Sequence, residues 1–500
     1  MFRFVIRQNA HAIMQSKRFN ITLSCLVLVF SVESNPRTIV DIPDYPVVFE
    51  LDRGNTYQFS GQVDDKTVFK SIKLLDYRLK NTKNYWFPDH LEQSHFISAE
   101  VDIEINGNPH TLQHRPFQMP VEIDGLRIFV EGIREWNEGS YPQSYAKSFQ
   151  REVRLSAVLA GHLWGAIDFV FPLKNYRLFA NSYNNTWGAL VPYNIYYYHR
   201  GEDYGLIPDL TEIISPFEGW VLASPLPDGD GRSNAVLIQH NSGIIFRASH
   251  MNTQSIDPSI TKGSRVIAGQ LIGKTGMTWD GRKSQYRDPH FHGELRWGNS
   301  DDDHTKIATY PIFVESYFRQ YPDKIIAIAG GYYFTEVGKP LELDGTRTLV
   351  REGEEIASFE WHLSDGHIVK DSKAEIKYVQ AGQYAEELIA KTKSGTTSKS
   401  YAHVRVYDKD YDKDISFGWI YHDKPRGVQV GETVRIMNRI KTPVEATTID
   451  FGDGNEVTLS DPEDVFHNYD EPDLYTITVS RIGMRNEPVS AKIAIEVFID

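Results

Sequence analysis

The sequence predicts a mainly β protein, and three observations carry the prediction. VVFEL at 47–51, ISAEVDIEIN at 97–106 and GLRIFVEGI at 125–133 alternate apolar and polar residues, the period of half-buried strands. Turn-forming residues such as Asp64-Asp65 and Asn106-Gly107-Asn108 fall between such stretches. No amphipathic helix of any length is apparent across 217–297. A chain of 500 residues has room for about three or four domains.

Composition narrows the function classes. Hydrophobic residues make up 41% and charged residues 24%, which is ordinary for a globular protein. The net charge of −14 argues against a nucleic-acid partner. The single cysteine, Cys25, lies in the N-terminal segment, so the rest of the chain has no disulfide framework and no thiolate metal site. Any metal site must use histidine and carboxylate.

Residues 1–34 read as a targeting segment. Arg3, Arg7, Lys17 and Arg18 form a basic region, an apolar run follows at 21–32, and Val32 and Ser34 offer small residues for cleavage before Asn35. Met14 is an alternative start. Cys25 stands near the beginning of the apolar run, not at its end, which argues against a lipid-modified cysteine. The run is short for a membrane span, and no later stretch is long and apolar enough. The expectation is an exported soluble protein, periplasmic or extracellular. Residues 35–180 follow as an N-terminal β-domain with no catalytic motif, expected to pack over the next domain.

From 181 to 322 the texture changes. His199 and Asp203 are four apart, but Gly201 and Gly205 argue against a helix, so the pair chelates only if the chain curves. Short strands follow: Ile214 to Val221, Ala235 to His240, and Ile244 to His250, with Asn241-Ser242-Gly243 as a hairpin turn. Then comes Asp288-Pro289-His290-Phe291-His292-Gly293-Glu294-Leu295-Arg296-Trp297. Residues i and i+2 of a strand share a face, so His290 and His292 converge. Imidazole is both the commonest metal ligand and the commonest general base.

These motifs occur in a recognisable order: His199-x-Gly201-x-Asp203, Pro216-Phe217-Glu218-Gly219-Trp220-Val221, Val236-Leu237-Ile238-Gln239-His240, Ala248-Ser249-His250, Gly269-Gln270-Leu271-Ile272-Gly273 and His290-Phe291-His292-Gly293-Glu294. Over roughly residues 190–300 the chain resembles the lysostaphin-like and β-lytic zinc metallopeptidases, the cell-wall endopeptidases. The resemblance implies an antiparallel β metallopeptidase domain with Zn²⁺ held by His199, Asp203 and His292. It implies His250 and His290 as catalytic histidines. Arg247-Ala248-Ser249-His250-Met251 departs from the family's aromatic-Ala-His-Leu. Two imidazoles and one carboxylate leave a fourth position on zinc for water, the catalytic pattern. With no His-Glu-x-x-His helix to supply a base, His290 takes that role and His250 stabilises charge on the tetrahedral intermediate. His240 and Glu294 are alternatives. His240 reads as a packed sheet residue, and Glu294 as a group orienting a ligand.

The last third contains two similar units, 323–409 and 410–500. Phe359-Glu360-Trp361, Asp365-Gly366, Tyr378 and Gly382-Gln383-Tyr384 mark the first. Phe451-Gly452-Asp453-Gly454, His467-Asn468-Tyr469 and Leu474 to Val479 mark the second. Both resemble PKD-type, immunoglobulin-like β-sandwiches, in which His467 would be structural. By analogy such domains are spacers or wall-binding modules. The reading is an exported zinc endopeptidase acting on peptidoglycan stem peptides or cross-bridges. The alternatives are a non-catalytic wall- or matrix-binding protein and an extracellular protease acting on Gly-rich proteins.

Overall fold

Strand pairing dominates from the first described residues onward. The computed structural model describes residues 36–499 apart from 43, 64–65, 84–93, 141–148, 193–195, 280–281, 284–287, 298–305, 409–417, 441–445, 461–462 and 484–485. The targeting segment, with Cys25, and the Asp64-Asp65 turn lie outside the described residues. Among those described, no helix is long and apolar enough to cross a membrane.

The N-terminal part is two antiparallel sheets. One runs Arg37–Val40, Val47–Leu51, Val153–Leu159, Leu126–Ile133, Val121–Ile123. The other runs Thr56–Val63, Lys66–Lys83, Ser94–Ile105, Asn108–His114. Alternation sends Ile72, Leu74, Val101 and Ile103 of the second sheet into one core with Leu51, Ile128, Val130 and Leu155 of the first. Leu190, Tyr196 and Tyr198 join that core from further along the chain.

The central sheet contains β1 (Asn184–Asn185), β2 (Glu202–Gly205), β3 (Gly219–Ala223), β4 (Val236–Gln239), β5 (Ile244–Ser249), β6 (Arg265–Val266), β7 (His290–Trp297) and β8 (Lys306–Ile307). The order across it is β1-β2-β7-β5-β4-β3-β6, with β8 paired to β7, and the pairings are antiparallel. The period of two divides its faces. Tyr204, Phe246, Phe291 and Leu295 enter a core shared with Trp164, Phe169, Phe171 and Tyr176 from the preceding segment. Asp203, His290, His292 and Glu294 take the other face. A helix, α1 (Tyr310–Gln320), closes this core with Ile312, Phe313, Val314 and Tyr317. Pro311 sits in its first turn, where a missing N–H costs nothing. The sequence reading did not anticipate this helix.

The two C-terminal units keep separate cores, one around Trp361, Leu388 and Val404 and one around Ile449, Ile477 and Ile493. Their largest sheets are nonetheless joined, because Gly382–Thr392 meets Pro488–Phe498 in parallel at Gln383 and Val489. His467 stacks on Phe451 at 3.9 Å and bonds to Asp453 at 2.7 Å, so it braces the Phe-Gly-Asp-Gly turn.

One buried ion pair ties the N-terminal sheet to the central one. Arg154 and Glu50 are fully buried and 2.7 Å apart, and Arg154 also donates to the Lys306 carbonyl on β8 at 3.1 Å. Glu50 further accepts the Gln150 and Arg151 amides. Removing one partner of such a pair strands the other charge. Glu50→Ala is therefore expected to cost about 3–5 kcal/mol. Thermal unfolding measures it, and an unchanged midpoint would remove the pair from the stability account.

Candidate metal centre and active site

Two pieces of backbone geometry bring the site together. The first is register: β2 and β7 pair so that Asp203 stands opposite His292. Directly opposed residues share a face, so the carboxylate and the imidazole meet at 2.7 Å between Oδ1 and Nδ1. The second is a bend before β2. Gly201 has φ +150°, and a Cβ there would lie 2.6 Å from the Gly293 carbonyl oxygen and 3.1 Å from the His292 ring. The bend turns His199 back over the sheet, and its position is pinned by its own amide to the Ala189 carbonyl and its carbonyl to the Gly188 amide. The His199-x-x-x-Asp203 spacing thus chelates without a helix. His199 Nε2 lies 3.1 Å from Asp203 Oδ1 and 3.1 Å from His292 Nδ1.

The donor set fits a metal ion. The three ligand atoms face one another in a buried group of two imidazole nitrogens and one carboxylate oxygen. Their separations approach the roughly 3.3 Å that ligands at ~2.0–2.1 Å take around tetrahedral zinc. Glu294, on the same face of β7, receives His292 Nε2–H at 2.8 Å and so directs Nδ1 inward, the carboxylate–histidine arrangement common behind zinc ligands. Glu294 is itself paired with Arg247 at 3.0 Å and Lys306 at 3.4 Å. Burial opposes its ionisation, but Lys306 and Arg247 hold its carboxyl well below the usual range. Burial likewise works against charge on Asp203 and His292. Beside His199 and His290, the Asp203 carboxyl nevertheless falls well below the usual range. Hydrogen bonds to Asp203 and Glu294 raise His292 to about 9.

The other two histidines stand beside this group. His290 Nδ1 donates to the Asp288 carbonyl at 2.7 Å, and its Nε2 lies 3.7 Å from Asp203 Oδ1. His250 follows β5 with φ +68°, a conformation a non-glycine residue rarely takes without need. Its Nδ1 donates to the Thr278 carbonyl at 2.9 Å. The His250 and His290 ring centroids are 4.6 Å apart. Burial pushes both imidazoles below their ordinary pKa, His250 well below, with the neighbouring His290 adding to the effect there. In its neutral form each ring, with Nδ1–H given to a carbonyl, carries its lone pair on Nε2. His240 lies elsewhere, bonded to Ser242 at 2.8 Å and packed on Phe217.

All five site residues named from the sequence thus lie in one cluster. Tyr183 was not among them: its hydroxyl donates to Asp203 Oδ2 at 3.4 Å and its ring lies 4.9 Å from that of His290. It precedes the motifs, and only the β1–β2 pairing places it. The carbonyls of Asp288 and Thr278 were equally out of reach, because a backbone acceptor leaves no mark on residue type.

Residues 197–304 match the model of peptidase family M23. No curated protein matches the chain. Among solved structures the chain is similar to the LytM protein of Ruminococcus gnavus, at 21% identity over 23% of this chain and 45% of that one, with a TM-score of 0.19. The chain thus spans less than half the length of that protein. It is also similar to Csd3 of Helicobacter pylori, at 14% identity over 57% of this chain and 81% of that one, TM-score 0.20. A third similarity is to the fibronectin(III)-like modules of Clostridium thermocellum CbhA, at 15% identity over 35% and 94%, TM-score 0.15.

Gly201→Ala tests the bend. The added methyl has no room against the Gly293 carbonyl, so the segment must shift and take His199 with it. Loss of metal binding and a lowered unfolding midpoint are expected together, by chelator competition and thermal melting. Wild-type values for both would show that the bend is not needed.

Proposed function

We propose that the protein, whose residues 197–304 match the peptidase family M23 model, is an exported zinc-dependent endopeptidase that hydrolyses peptide bonds in peptidoglycan stem peptides or cross-bridges. The observation that carries this reading is the convergence of His199, Asp203 and His292 on one point, with His250 and His290 beside them. The basic and apolar residues before Asn35 support export. The two C-terminal sandwiches are read as PKD-like spacers or wall-binding modules.

His199, Asp203 and His292 hold the zinc. When bound, the ion lowers the pKa of a water toward ~7 and polarises the scissile carbonyl. His290 is the general base. Its Nδ1–H is committed to the Asp288 carbonyl, so its Nε2 lone pair faces the site and accepts the proton. His250 stabilises developing negative charge. Because its Nδ1–H is likewise committed to a carbonyl, it does so only when Nε2 also carries a proton. Glu294 fixes the tautomer of His292.

Elemental analysis of the purified protein is expected to find about one zinc per chain, and His292→Ala to abolish it. Full occupancy in that variant would sink the ligand assignment. Asp203→Ala should lose metal and activity together.

His290→Ala should behave differently. Zinc stays, and kcat falls by about 10²–10⁴-fold, the usual contribution of an acid–base group. Near-normal kcat at full zinc would remove His290 from the mechanism, and lost zinc would make it a ligand. Digestion of wall sacculi beside elastin separates a cell-wall substrate from Gly-rich proteins. A zinc-loaded protein that cuts neither, yet binds sacculi, would be a binding module.

A further inference from the structure

The residues opposite the metal ligands on β1 belong to the segment that the C-terminal sandwich grips. Asn185 pairs with Asp203, so two residues earlier Tyr183 falls opposite Gly205, which in turn pairs with His290. Across the sheet this gives a row Tyr183–Gly205–His290 with no side chain in the middle. The gap lets the phenol ring reach the imidazole, at 4.9 Å between centroids. A Cβ on Gly205 would lie 2.7 Å from the Tyr183 carbonyl oxygen and 2.9 Å from the Tyr421 ring. The same phenol donates to Asp203 Oδ2, the carboxylate oxygen turned away from His199 and His292. A buried carboxylate oxygen needs a donor, and among the described residues Tyr183 supplies it.

Tyr183 is held from the far side. Trp419 meets its ring edge-on at 5.4 Å and 88°. Next to it, Ser182 Oγ accepts the Ile420 amide at 2.7 Å and donates to the Ile420 carbonyl at 2.9 Å, while Asn181 Oδ1 accepts the His422 amide at 2.8 Å. The strand Ile420–His422 belongs to the C-terminal sandwich, over two hundred residues from Ser182 in sequence.

We propose that Tyr183 is a positioning residue for the metal centre, fixing the Asp203 carboxylate and the His290 ring together, and that the C-terminal sandwich sets it through Trp419. The inference rests on the metal reading above. Holding Asp203 by its outer oxygen leaves Oδ1 facing His199 and His292, the oxygen that would serve as the ligand atom were zinc bound. The C-terminal sandwich is then part of the active site and not only an appended module.

The test uses the full chain, stripped of metal and titrated with zinc against a chelator. Tyr183→Phe removes only the hydroxyl. Zinc affinity is expected to fall about 10–100-fold, the usual effect of losing a group behind a ligand, with the melting point of the metal-free protein unchanged. A lowered melting point with wild-type zinc affinity would mean that Tyr183 merely packs, and the proposal fails. Trp419→Leu keeps Tyr183 and removes its support. Weaker zinc binding and a lower kcat are expected. Should that variant fold poorly, Ser182→Ala removes both side-chain bonds to Ile420 and takes its place. Wild-type affinity and kcat in the folded variant would overturn the role of the sandwich. A wild-type chain that binds no zinc overturns the metal reading itself, whereas equal tight binding by wild type and Tyr183→Phe overturns this proposal alone.

Discussion

Everything at the site depends on one register, the pairing of Glu202–Gly205 with His290–Trp297. It sets Asp203 against His292 and Gly205 against His290. A slip of one residue would turn the carboxylate into the apolar core and bring Tyr204 to the surface. The register is therefore guarded by burial, since Tyr204 and Phe291 are fully enclosed on the other face. The hydrophobic core and the polar centre are two sides of the same two strands. What stabilises one fixes the other.

Charge around this register is arranged in layers. Asp203 and His292 form the inner pair, Glu294 backs His292, and Arg247 and Lys306 back Glu294. Lys306 is in turn the residue whose carbonyl receives Arg154, the partner of Glu50. Buried charges survive only when paired, and here the pairs lead continuously from the N-terminal sheet to the candidate ligands. The N-terminal part thus reaches the site through backbone and salt bridges, and the C-terminal part reaches it through aromatic packing.

The chain displayed some of this openly. Alternation marked strands such as Ser94–Ile105, and His290-x-His292 announced two imidazoles on one face because the period of a strand is fixed. Gly201 in the first motif correctly excluded a helix and left a curved chelate as the only way for His199 and Asp203 to meet. Tyr183 was hidden for a physical reason. Its relevance comes from strand pairing across the sheet, which no local pattern encodes. The helix Tyr310–Gln320 was hidden differently, since a helix buried on most sides carries little amphipathic signal. Glu294 lay between: its place on the His292 face was legible, its two cationic partners were not.

The cores exchange residues along the chain. Trp164, Phe169, Phe171 and Tyr176 pack under the central sheet, while Tyr196 and Tyr198 pack with the N-terminal strands. A fragment beginning at Asn181 would leave four large aromatic rings of its own interior behind and expose Leu190, Tyr196 and Tyr198, which pack in the N-terminal core, to water. The segment that carries the candidate site is therefore woven into its surroundings, not strung between them. Recombination that moves such a segment alone would deliver the candidate ligands without the floor that aligns them. The heritable unit is the woven whole, which constrains how this architecture can be shuffled into new proteins.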